Sequence, residues 1–83
     1  MKFEIRQIDA YVYDDSWIHN TTYLLGTMTT NAANERRAFT DYLRRQHGII
    51  FRKNRTRIEF DGDCYTIEDR KTHEPLFIAI PMI

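Results

Sequence analysis

The sequence predicts an α+β fold: a single antiparallel sheet with one helix packed on one face, the elements running ββαββββ. Three observations lead there. Asp61-Gly62 lies between two alternating segments, the dipeptide chemistry of a tight β-hairpin. Residues 32–47 carry an apolar arc at helical spacing and are followed by Gly48, a helix-stop glycine. The segments on either side of that helix are rich in aromatic and β-branched residues with period two.

In chain order, Lys2 to Tyr13 reads as the first strand. Phe3 and Ile5 alternate with charge, and the phase then moves to Ile8, Ala10 and Val12, which predicts a bulge near Gln7. Asp14-Asp15-Ser16 is turn chemistry, and Trp17 to Thr29 forms the return strand, with Gly26 marking a second bulge. Thr30 or Asn31 supplies an N-cap for a helix from Ala32 to His47. On a helical wheel Ala32, Phe39, Tyr42 and Leu43 share one arc, whereas Arg36, Arg37, Asp41, Arg44 and Arg45 fall largely opposite.

Ile49 to Arg52 is expected as a short strand that turns back at Lys53-Asn54 and brings Ile49 and Phe51 beside Ile58 and Thr56. A two-residue loop at Asp61-Gly62 then sets Phe60 opposite Asp63, Ile58 opposite Tyr65, Thr56 opposite Ile67 and Arg55 opposite Glu68. Ile58, Phe60, Tyr65 and Ile67 share the core face, and Cys64 points the other way. After the polar loop from Asp69 to Glu74, Leu76 to Ile80 is apolar without alternation and calls for cover on both faces. Phe39, Leu43, Ile58, Phe60, Tyr65, Ile67 and Ile78 are the expected core.

Eighty-three residues make one domain, 1–83. A chain of this size buries only about 60% of its unfolded surface. The lone Cys64 excludes an internal disulfide and suits a reducing compartment. The N-terminal stretch lacks the apolar run of a secretory signal, and no 18-residue apolar span occurs, so a cytoplasmic chain without membrane contact is expected. Formal net charge is zero, which argues against indiscriminate polyanion binding. The charge is nonetheless segregated. Arg36, Arg37, Arg44, Arg45, Arg52, Lys53, Arg55 and Arg57 are interrupted by a single acid, Asp41, before Glu59, Asp61, Asp63 and Glu68 reverse the sign.

Met1 to Arg6, the Leu25-Gly26-Thr27 to Thr30 run, Arg57 to Gly62, and Asp69-Arg70-Lys71 leading to Glu74-Pro75-Leu76-Phe77 together resemble short uncharacterised proteins carried by phages and conjugative elements of gut Firmicutes. The resemblance covers nearly the whole chain and rests on structural motifs. It implies a mobile-element origin and no particular activity. Asn54 and His73 depart from it, standing where such turns carry glycine.

No catalytic constellation emerges. A nucleophilic Cys64 needs a base within reach and a lowered pKa, and no histidine or glycine-rich elbow is near it in sequence. His19, His47 and His73 have no ligand spacing, and Asp61-Gly62-Asp63 lacks the further oxygen ligands of a calcium loop. Asp69-Arg70-Lys71 lacks the partner acids of a nuclease. The chain therefore reads as a non-enzymatic binding or accessory domain, with no metal or cofactor site assigned. Its partner is expected to be another protein or a second copy, held by a sheet face or edge. The alternative partner is nucleic acid, contacted by Arg37, Arg44, Arg45, Arg52, Lys53 and Arg55, with Tyr11, Tyr13, Trp17 and Tyr23 available to stack on bases.

Overall fold

A strand apolar on both faces belongs in the middle of a sheet, and the computed structural model, which describes residues 1–10 and 21–82, puts the last strand there. Strands β1 (Lys2–Ala10), β2 (Thr21–Thr29), β3 (Thr56–Phe60), β4 (Tyr65–Asp69) and β5 (Pro75–Met82) form one sheet in the order β2-β1-β5-β4-β3. Every neighbouring pair is antiparallel. A 3-10 turn over Ala32–Asn34 leads into the helix α1 (Glu35–His47), which packs on one face. The predicted first turn, Asp14 to Ser16, lies outside the described residues, as do Tyr11, Tyr13 and Trp17.

Phe39 and Leu43, one helical turn apart, are fully buried. They meet Phe3 and Ile5 of β1, Met28 of β2, Tyr65 and Ile67 of β4, and Phe77 and Ala79 of β5 in one apolar cluster. Ala79 lies in register between Ile5 and Tyr65. Above that small side chain the rings of Phe3 and Tyr65 meet edge-on, with centroids 5.8 Å apart. The Tyr65 hydroxyl donates to Glu35 Oε2 and fastens the first turn of α1 to β4. A carboxylate also suits that positive end of the helix. No side chain caps the helix, contrary to the N-cap expected at Thr30 or Asn31. Instead the Asn34 N–H bonds the Asn31 carbonyl at 3.1 Å, so the 3-10 turn satisfies a donor that a side chain would otherwise take. The stop is as expected: Gly48 has φ 67°, and the N–H groups of Gly48 and Ile49 bond the carbonyls of Arg44 and Leu43.

The Gly26 bulge is present. Ile5 faces Gly26 and Arg6 faces Leu24, which leaves Leu25 as the extra residue. The second irregularity falls between Ile8 and Ala10 rather than at Gln7, which pairs with Tyr23.

Three expectations are corrected between Gly48 and Asp69. Residues Ile49 to Arg52 form no strand, so among the described residues the sheet has five strands and not six. The chain does turn at Lys53-Asn54, but the N–H groups of Arg55 and Thr56 both bond the Arg52 carbonyl, a single helix-like turn and not a hairpin loop between paired strands. Ile49 and Phe51 still pack on the core, with Phe51 edge-on to Phe77 at 5.6 Å. The following hairpin has a four-residue loop, Asp61 to Cys64, and a register two residues removed from the predicted one: Phe60 faces Tyr65 and Ile58 faces Ile67. A shift of two preserves which side chains share a face. It does exchange the charge pair, since Arg57 and not Arg55 stands opposite Glu68. The cause is Asp61, whose Oδ1 accepts from the N–H groups of both Asp63 and Cys64. That side-chain turn spares Asp61 the positive φ a two-residue loop would demand. Phe60 is thereby left at the strand end, 46% exposed and stacked on Tyr65, while Ile58 and Ile78 are half-buried. Ile78 faces away from the helix.

Gly62 keeps the positive φ expected of it, at 101°, with open space where a side chain would go. Gly62→Val is expected to cost more than about 1 kcal/mol through backbone strain alone. A urea midpoint equal to that of the wild type would contradict the loop geometry. His73, standing where glycine was expected, adopts φ 61°, whereas Asn54 has no positive φ.

Candidate functional site

The segment from Gly48 to Arg55 is released from strand pairing and runs beside α1, so a groove opens between the helix, this segment and the edge strand β3. Its volume is about 800 Å³. The floor is apolar, made by Ile49, Phe51, Ile58 and Ile67, with the exposed Ile50 at its margin. Ile50 is 79% exposed, the most accessible large aliphatic side chain among the described residues. The rim is cationic: Arg36, Arg37, Arg44, Lys53, Arg57 and Arg70 line it, against one carboxylate, Asp41.

Three of these cations hold the fold. The Arg70 N–H bonds the Arg55 carbonyl, so the odd-numbered residues of β3 exchange bonds with β4 and the even-numbered carbonyls face outward. Arg36 Nη1 donates to the Ile58 carbonyl at 3.0 Å and Arg70 Nε to the Thr56 carbonyl at 2.9 Å. Two arginines thus cap the open edge of β3. Arg57 bridges Glu68 and Glu59, and the Glu68 hydrogen bond, aided by the charge of Glu59, holds its guanidinium above its ordinary pKa. Arg37, Arg44 and Lys53 are less engaged. Asp41 meets Arg37 at 3.8 Å and Arg44 at 3.3 Å, exposed contacts worth only a few tenths of a kcal/mol each. No salt bridge to Lys53 is formed among the described residues.

Of the six basic residues singled out from sequence, Arg37, Arg44 and Lys53 line the groove, whereas Arg45, Arg52 and Arg55 do not. Arg45 is exposed on the helix one position beyond Arg44, and Arg52 and Arg55 form the turn through their main chains. The apolar floor was not anticipated as a surface. Its signal was the run Ile49-Ile50-Phe51, in which Ile50 has no polar replacement at the outward position of the presumed strand.

Elsewhere the chemistry is muted. Burial, and then the carboxylates of Asp61 and Asp63, push the Cys64 thiol above its ordinary pKa and disfavour the thiolate. Asp61 and Asp69 are both held low by main-chain N–H donors, from Cys64 and Asp63 in one case and Thr72 and Lys71 in the other. Their charge belongs to the turns. Among the described residues no group of three or more His, Cys, Asp or Glu side chains could hold a metal ion. Among the described residues no helix is long and apolar enough to cross a membrane.

No protein-family model matches the chain, and neither the curated proteins nor the solved structures contain a significant match to it.

Proposed function

We propose that the protein is a non-enzymatic binding domain and that the groove between α1 and β3 holds a protein partner bearing acidic side chains around an apolar anchor. The observation that carries this reading is the combination of an aliphatic floor with a cationic rim. Burying the exposed Ile50 supplies affinity that charge alone does not, while Arg37, Arg44 and Lys53 select for carboxylates. Nucleic acid is the second reading, and the density of cations on the rim favours it. The floor speaks against it. Base stacking needs open aromatic faces, and the aromatic ring on this floor, Phe51, packs edge-on against Phe77. Tyr23 is exposed but lies on β2, at the opposite edge of the sheet.

The two readings separate by titration with two labelled probes, a short peptide alternating glutamate with leucine and phenylalanine, and a single-stranded oligonucleotide. Binding of the peptide, weakened at least tenfold by Arg44→Ala with Lys53→Ala, is the expected result. Both residues are exposed, so the thermal midpoint should hold. If the oligonucleotide binds instead, and the double substitution lowers its salt slope by about two units, the protein reading is wrong and the nucleic-acid reading stands.

A further inference from the structure

The two edges of the sheet differ in charge and in how their outward main-chain groups are met. The β3 edge is five residues long, carries Arg57 and Glu59, and has its outward carbonyls at Thr56 and Ile58 taken by Arg70 and Arg36. These are devices that keep an edge from pairing. The β2 edge has none of the charged kind. Its nine residues, TTYLLGTMT, contain no charge and no proline. Met1 and Thr30 exchange two hydrogen bonds, so the residues of β2 that alternate with that pair turn their main chain outward. Thr27 and Thr29, opposite Glu4 and Lys2, therefore present free N–H and C=O groups, and among the described residues no hydrogen bond reaches them. Tyr23 and Leu24 flank the same edge, 52% and 57% exposed.

We propose that β2 is a self-pairing edge, on which a second copy of this chain adds its own β2 antiparallel to make a continuous sheet across a two-fold axis. An isologous strand pair needs a self-complementary surface, and an uncharged strand meets its own copy without repulsion. A foreign charged strand would find no counter-charge on it. A formal net charge of zero removes the long-range repulsion between copies. The pairing satisfies the outward groups of Thr27 and Thr29 and buries Leu24, while leaving the groove at the other edge of the sheet open to its own partner.

Sedimentation or light scattering over a range of concentrations tests the pairing. The expected mass rises to twice the 10.0 kDa of the chain. Thr27→Pro removes an N–H that the monomer does not use, and Thr27→Lys sets an ammonium opposite Glu4, where the monomer tolerates it. Each substitution acts twice in a symmetric pair, so self-association should weaken roughly 100-fold. Thr27→Lys decides the matter should the proline variant fail to fold, and Arg44→Ala with Lys53→Ala should leave the mass unchanged. Amide exchange at Thr27 and Thr29 should slow on association. A wild-type monomer at every concentration would overturn the proposal. So would a dimer that survives Thr27→Lys, or one that dissociates only when the groove is altered.

Discussion

Phe39→Ala is expected to destabilise the protein by about 3–5 kcal/mol, as truncation of a fully buried aromatic side chain does. Total stability for a chain of this size is at most of the same order as that loss, so the variant should be largely unfolded at 37 °C. The reason is local. Only Phe39 and Leu43 of α1 are fully buried, so the helix has few other anchors to spread the loss across. Glu35 would still reach Tyr65 and Tyr42 would still reach Leu25, but neither bond excludes water from the sheet. Arg45→Ala, on the exposed side of the same helix, should stay within about 0.5 kcal/mol of wild type. Urea denaturation of the two variants side by side checks both numbers. Equal midpoints would mean that α1 does not pack through Phe39.

Gly26→Ala has the second largest expected effect, about 2–3 kcal/mol, and two causes contribute to it. Gly26 sits in the bulge at φ 153°, and a Cβ there would overlap the Tyr42 hydroxyl, which donates to the carbonyl of Leu25 next door. The tyrosine would have to move and give up that bond. Combining Gly26→Ala with Tyr42→Phe separates the causes. Removing the hydroxyl should recover part of the loss, and what remains is backbone strain. A fully stable Gly26→Ala would contradict the bulge and its contact with the helix.

The faces of the strands were legible in the sequence because alternation survives any even shift of register. Ile67 and Tyr65 are buried as expected even though the hairpin loop is twice the predicted length. The loop length was not legible, because it depends on whether Asp61 turns the chain with its backbone or with its carboxylate. Alternation also misled. Ile49 and Phe51 show strand periodicity and do face the core, yet this segment pairs with no strand and its outward neighbour Ile50 stands exposed at the margin of a groove.

The groove itself was half visible. Arg37 and Arg44 followed from the helical wheel, and Lys53 from its place in the next turn. Arg36 and Arg70 did not, because their roles come from tertiary contact: each reaches an edge carbonyl far away in sequence, 22 residues off for Arg36 and 14 for Arg70. A helical wheel assigns Arg36 to solvent. The strand edge that takes it up is not part of that pattern.

The groove is the centre of the functional account, and amide chemical-shift mapping tests it most directly. With the alternating acidic-apolar peptide added at low salt, the shifts should concentrate at Arg37, Thr40, Arg44, Lys53 and the Ile49 to Phe51 segment, with β2 unaffected. Shifts confined to β2 or to the sheet face away from α1, or none at all with the peptide in excess, would contradict it.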